Sequence, residues 1–257
     1  MKIVDSHVHI FGKNLKEEEE MLLSSMDSHG IDFSLISNCA SDEFAKDGFH
    51  KSQLASLKDC LKLSKKHPNR FGALLWICPA KEGLDKESID FLKKNREKVY
   101  GMKVHPYCSR LPISEPQYEP YLKLAEELSL PVLVHTAVDE YSCISHLVKV
   151  AKAYPKVKFI AAHLELFSDH LYSLNEIKGL PNVYGDTAWV DKDGYLSALD
   201  IIGEDRMLFG TDNPVDGEVT LDNPMYVEYL QRGFNVDDGP YEKLMGGNAI
   251  KLYGLKI

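Results

Sequence analysis

The chain has 257 residues, 44% hydrophobic and 27% charged, with a net charge of −9; that is room for one large core, since α/β barrels of ~250 residues fold as a single domain. The acidic balance argues against a nucleic-acid partner, which needs a basic surface, and no apolar run approaches the ~18 residues of a membrane span. Five cysteines (Cys39, Cys60, Cys78, Cys108 and Cys143) without C-x-x-C spacing fit reduced thiols in a cytoplasmic protein better than disulfides or a Cys-type zinc site. The first apolar run, Ile3-Val4, is too short for a signal peptide.

A short β-prone run, Lys2-Ile3-Val4, leads into Asp5-Ser6-His7-Val8-His9. Alternate residues of a strand share a face, so His7 and His9 project together. Two adjacent imidazoles are a ready pair of metal ligands; two solvent-facing histidines are the plainer alternative. Phe11-Gly12-Lys13-Asn14 is a loop signal, and 16–29 reads as a helix stopped by Gly30. A strand over 33–36, a polar loop over 39–50 and a helix over 50–67 follow. Residues 71–77 are continuously apolar, as in a parallel sheet covered on both faces. Beyond them, helices are expected over 84–97, 119–128, 142–154, 168–177 and 193–202. These alternate with strands over 99–105, 131–135, 157–163, 182–187 and 206–211. Two helices, 224–232 and 240–253, close the chain.

Eight strands alternating with helices imply a parallel sheet, and eight such units in one chain of this length match a (β/α)₈ barrel. The sequence lacks the glycine-rich phosphate loop that opens a doubly wound sheet. In a barrel the chemistry sits at the C-terminal strand ends. The first strand ends in His7 and His9, the fourth carries Lys103 and ends in His105, the fifth ends in His135, the sixth in His163 and the eighth in Asp212. Each is the first strongly polar group after an apolar run, and their convergence points to a metal site.

Asp5-Ser6-His7-Val8-His9, Gly101-Met102-Lys103-Val104-His105-Pro106, Val134-His135, Ala162-His163 and Gly210-Thr211-Asp212-Asn213-Pro214 together resemble the amidohydrolase superfamily. More narrowly they resemble its amidohydrolase-related (amidohydrolase 2) branch, which contains aminocarboxymuconate-semialdehyde-decarboxylase-like enzymes. Asn248 to Leu255 is similar to the closing helix of that branch. The resemblance runs from residue 5 to residue 255 and implies one catalytic domain spanning 1–257.

The resemblance implies His7, His9, His135 and Asp212 as ligands of a divalent cation, expected to be Zn²⁺. It implies Asp212 as general base too. His163 is either a ligand of a second ion or the group that orients water or polarises substrate, with the second role favoured. One ion is expected; two would require a carboxylated, bridging Lys103. Otherwise Lys103 is a free ammonium near substrate or a lysine paired with a core carboxylate. Substrate contacts are expected from His105, which could equally cap its strand, from Trp76, which could equally be core, and from Arg110 as an anchor for an anionic group. Asp216 and Glu218 are placed near the site mouth. Asp186 reads as a turn or cap residue, and His29, His50, His67, His146 and His170 read as surface groups. The loops 39–50, 106–118 and 213–223 are expected to shape the pocket.

The expected activity is metal-dependent hydrolysis of an amide, lactone or ester of a small, perhaps carboxylated, molecule. Non-oxidative decarboxylation is the alternative, weakened because Thr136-Ala137-Val138-Asp139 and Leu164-Glu165-Leu166 follow the two histidines where the family decarboxylases carry Pro-Trp-Asp-like and glycine-rich stretches. A non-catalytic binding barrel ranks last. The partner expected is a small molecule, with assembly into a homo-oligomer left open.

Overall fold

The computed structural model describes residues 1–41 and 49–257. Eight strands pair in chain order, every neighbour parallel: β1 (Val4–Ile10), β2 (Phe33–Asn38), β3 (Phe71–Ile77), β4 (Val99–Val104), β5 (Val132–Ala137), β6 (Phe159–Leu166), β7 (Val183–Asp186) and β8 (Met207–Leu208). Among the described residues the helices are α1 (Leu15–His29), α2 (Gln53–Lys66), α3 (Lys86–Lys94), α4 (Pro106–Ser109), α5 (Glu119–Leu128), α6 (Ile144–Ala153), α7 (Leu171–Ile177), α8 (Lys192–Ile202), α9 (Pro224–Leu230), α10 (Asp238–Glu242) and α11 (Asn248–Tyr253). This is the (β/α)₈ barrel expected. None of these helices is long and apolar enough to cross a membrane.

The core has two parts. A large cluster joins the outward faces of the strands to the helices around them. A smaller one takes Val4, Phe33, Leu35, Leu74, Leu133, Ile160, Ala162 and Leu208 from the strands, and Ala249 and Tyr253 from α11. It fills the barrel interior below the site. Each fully buried Leu, Ile or Phe of this kind contributes about 1.5–3 kcal/mol.

The barrel closes through its first and last strands, although the regular part of β8 is only two residues long. Beyond it the chain continues against β1: the Ser6 N–H donates to Phe209 O, the Asp212 N–H to His7 O and the His9 N–H to Asn213 O, at 2.8–2.9 Å. The strand expected over 206–211 is therefore irregular at its end because it follows a bulged partner. In β1 one extra residue intervenes between Asp5, opposite Ser34, and Val8, opposite Ile36. Close backbone approach requires glycine at two places here. A Cβ on Gly210 would lie 2.9 Å from the His7 Cβ, and one on Gly246 would lie 2.1 Å from Lys2 O. The helix expected over 240–253 is broken accordingly, with a π-helical turn, Lys243–Gly247, between α10 and α11.

Candidate active site

Closure of the barrel sets His7 and Asp212, 205 positions apart, side by side as hydrogen-bonded backbone neighbours. Asp5 ties the same seam. Its carboxylate accepts the N–H of His7 and Thr211, each at 3.1 Å, and the Thr211 hydroxyl. Burial pushes its pKa up to about 7, against the pull of the Thr211 hydroxyl. From this frame the Asp212 Oδ1 lies 3.2 Å from His7 Nε2 and 2.8 Å from His9 Nε2.

The far nitrogens of both rings are engaged. His7 Nδ1 lies 2.9 Å from Asp186 Oδ2, and His9 Nδ1 lies 2.8 Å from Ser37 Oγ, on the residue directly opposite in β2. A carboxylate only accepts, so His7 carries its proton on Nδ1. The Ser37 hydroxyl also lies 3.5 Å from Val8 O; when it donates there, its oxygen accepts from His9 Nδ1. With His9 in that tautomer both Nε2 atoms present lone pairs beside the Asp212 carboxylate; in the other, His9 Nε2–H donates to Asp212 Oδ1 at 2.8 Å. Three acceptors converging in the first way fit a cation, and the neighbours of the outer nitrogens support the tautomers a cation needs.

His163 arrives differently. His135 lies opposite Ala162 and Ala137 opposite Leu166, so β6 spends two extra residues over that interval. His163, Leu164 and Glu165 take positive φ of 67°, 44° and 72°. This bulge explains why β6 runs past the end expected at residue 163. It turns the His163 ring to 5.2 Å from that of His7. The His163 Nδ1–H donates to Ala188 O at 3.0 Å, leaving Nε2 as an acceptor. Asp186 Oδ1 accepts the His163 backbone N–H at 2.9 Å.

Burial dominates the electrostatics. It holds His7, His105 and His135 well below the usual imidazole range, with the Lys103 charge adding to the effect at His7 and His105 and neighbouring His105 adding at His135. It lowers His9 too, against hydrogen bonding to Asp212, and brings His163 to about 4. Neutral imidazoles are the ligating form. Burial also works against the Asp212 charge, but His7 and His9 outweigh it and its carboxyl sits well below the usual range. Lys103 is wholly buried, its ammonium 2.6 Å from His7 Nε2, and burial lowers its pKa.

Above these groups opens a cavity of about 310 Å³ lined by His9, Phe11, Cys39, Trp76, His105, His135, Asp212 and Val215. Trp76, His105 and His135 form a stack of near-parallel rings, with centroids 5.9 and 3.9 Å apart. Trp76 is thus both core and pocket wall. His105 lines the cavity and also caps α4, accepting the Cys108 N–H.

Of the residues expected in the site, the structure brings His7, His9, Asp212, Lys103, His163, His105, His135 and Trp76 into one region. Among the described residues two tight donor groups share His7: His7, His9 and Asp212, and His7, His163 and Asp186; His135 lies in the adjoining wall, its ring 4.8 Å from that of His163. Arg110 does not join them. It is exposed, caps α4 with φ 50°, and is not among the residues lining the cavity. Asp216 is exposed, and Glu218 lines a separate groove beside α1; Val215 is their loop's contribution to the pocket. The loop 106–118 contributes no lining residue. Part of the loop 39–50, residues 42–48, lies outside the described residues; its Cys39 does line the cavity.

Three residues exceed their sequence reading. Asp186 is not a turn residue but the buried partner of His7 and His163. Burial raises its pKa, against the opposing effect of His163. His170 is buried, its Nδ1–H donating to Leu164 O to brace the bulged strand. Trp189, unremarked in the sequence, donates its indole N–H to Asp212 Oδ2 at 3.0 Å.

A family model described as amidohydrolase matches residues 4–255. None of the curated proteins matches the sequence. Among solved structures, 5-carboxyvanillate decarboxylase from Novosphingobium aromaticivorans, with bound manganese, is 13% identical at a TM-score of 0.76, covering 99% of this chain and 96% of that one. The 4-oxalomesaconate hydratase from Rhodopseudomonas palustris is 16% identical at 0.72, covering 98% and 95%. A 2,6-dihydroxybenzoate decarboxylase is 16% identical at 0.70, covering 100% of both chains. At these identities the likeness is one of fold.

Proposed function

The chain belongs to the amidohydrolase family, and from that premise we propose that it is a divalent-metal-dependent hydrolase of an uncharged lactone, ester or amide. The observation that carries the metal is the convergence of His7 Nε2, His9 Nε2 and Asp212 Oδ1. His135 is the fourth ligand in this reading, and the N and O donors suit Zn²⁺ at a catalytic rather than structural site. A divalent cation held there supplies Lewis acidity, which lowers the pKa of water and polarises a carbonyl.

The chain's own groups account for the remaining steps. Asp212 takes a proton from the attacking water and returns it to the leaving oxygen or nitrogen. His163, with its proton fixed on Nδ1, offers Nε2 as an acceptor that orients that water. Lys103 stabilises negative charge developing beside it.

The cavity lining favours hydrolysis over decarboxylation. Among the described residues it presents aromatic and aliphatic surface, imidazoles that burial keeps neutral, and the Asp212 anion, with no arginine. A substrate carboxylate would have to be held by the cation or by Lys103, the groups this reading uses for the developing negative charge; a neutral carbonyl compound leaves both for that role. The test is a panel of neutral lactones, esters and anilides set beside hydroxybenzoic acids, with zinc-loaded protein and its Asp212→Asn variant. Hydrolysis that Asp212→Asn abolishes supports the reading. Release of carbon dioxide from the acids, without hydrolysis, would replace it with decarboxylation.

A further inference from the structure

The segment beginning at the end of β7 supplies none of the four groups taken here as cation ligands, yet it touches several of the groups that do the chemistry. Asp186 engages His7 and His163, Ala188 O accepts from His163 Nδ1, and the Trp189 indole engages Asp212. Trp189 pays attention to one atom alone. An indole N–H is a donor and never an acceptor, so its partner, Oδ2, is fixed without ambiguity. Oδ1 is left as the oxygen facing the two histidines.

Trp189 is itself held. Its φ is 57°, a left-handed conformation that persists only where the surroundings over-determine it. Its N–H donates to the hydroxyl of wholly buried Tyr226 at 3.1 Å, and its ring meets the Tyr226 ring edge-on at 5.9 Å. Asp212 is left-handed too, with φ 61°, and is fixed by its N–H on His7 O. The two residues therefore meet from two constrained backbones, and the indole bond removes the freedom of the carboxylate to exchange its oxygens.

We propose that Trp189 is the positioning residue of the metal site, assigning Oδ2 of Asp212 to the protein and Oδ1 to the cation. The proposal rests on the cation-binding reading of Asp212. Trp189→Phe keeps the ring and removes the donor. Losing an outer-shell partner of this kind typically costs 10–100-fold in metal affinity. Zinc affinity, measured by chelator competition, should therefore fall about 10–100-fold with the circular-dichroism spectrum and melting temperature of the metal-free protein unchanged. Affinity within about twofold of wild type would overturn the proposal.

A second measurement does not depend on that variant folding. The chain has two tryptophans, so Trp76→Phe leaves Trp189 as the sole indole emitter. Its fluorescence should change on zinc titration with the dissociation constant found by competition, and the added Asp212→Asn should abolish the change. Zinc that binds the Trp76→Phe protein without altering the emission would also overturn the assignment. A wild-type protein that binds zinc while failing either test sinks this proposal alone; one that binds no divalent cation sinks the proposed function with it.

Discussion

Asp186→Asn separates metal binding from folding more cleanly than removal of a ligand would. The two backbone bonds that Asp186 Oδ1 accepts, from His163 at 2.9 Å and Ala188 at 3.2 Å, survive on the amide oxygen of the variant. What changes is the other end of the side chain. An amide N–H₂ in place of Oδ2 faces His7 Nδ1 and can only donate, so the imidazole must accept there and carry its proton on Nε2. That hydrogen then occupies the lone pair aimed at Asp212 Oδ1. The loss of such a carboxylate partner typically weakens metal binding 10–100-fold, about 1.4–2.7 kcal/mol. Folding should not suffer, because burial already disfavours the Asp186 charge and a neutral isostere removes that cost. The expected signature is weaker zinc binding by chelator competition, with a metal-free melting temperature equal to or above wild type. The rise in melting temperature on adding zinc should shrink correspondingly. Zinc affinity within about twofold of wild type would refute the tautomer argument, whatever happened to stability.

Three further outcomes are expected. The folded pKa of His163, about 4, lies below its ordinary 6.5, so between those values the unfolded chain takes up a proton that the native state refuses. Its contribution to stability is complete above pH 6.5 and is lost as pH falls toward 4. Urea unfolding of metal-free protein should show this decline, with a smaller slope in His163→Gln; equal slopes would refute it. Lys103→Met should keep one zinc per chain by elemental analysis while cutting turnover at least tenfold, whereas two ions per chain that both depend on Lys103 would indicate a carboxylated bridging lysine. Arg110→Ala should leave kcat/KM within about twofold, because this exposed side chain is not part of the cavity wall; a large rise in KM would restore it as a substrate anchor.

The groups that the sequence made legible are those whose chemistry contrasts with their neighbours. His135 and His163 each follow an apolar run, His7 and His9 alternate along the first strand beyond Ile3-Val4, and Asp212 ends Leu-Phe-Gly-Thr-Asp, so a strand-end rule picks them out. The barrel was legible for the same reason, since β3 matches the continuous run at 71–77 and α5 the segment 119–128. Asp186 was not legible, because Asp after a strand is also the ordinary residue of a turn, and its role depends on a ring 179 positions away. Trp189 carried no signal, because an indole in a loop looks like packing until its N–H has a partner. The bulge at His163 was hidden because Phe-Ile-Ala-Ala-His reads as a regular strand. Its extra residues appear only against β5.

The division between legible and hidden groups follows the barrel's construction. The side chains proposed to meet the cation come from β1, β5 and the turn beyond β8, whereas their orienting partners come from β2 and the segment beginning at the end of β7. Ser37 is the direct β2 neighbour of His9, and Asp186 reaches His7 across a β8 only two residues long. That shortness has a consequence. A longer regular β8 would carry its own side chains between β7 and β1, whereas here the chain leaves the ladder at Leu208 and returns to β1 through Ser6, His7 and His9. The irregular closure that obscures the last strand in the sequence thus lets one short segment, Asp186 to Trp189, reach His7, His163 and Asp212 together. A side chain inserted into this seam should then weaken metal binding by displacing His7. The Gly210→Ala variant tests this directly, because its methyl would press on the His7 Cβ at 2.9 Å. Zinc affinity should fall while the remote α5 and α6 helices keep their hydrogen-exchange protection. Unchanged affinity would mean that the seam tolerates displacement of His7 and that its close fit does not govern the site.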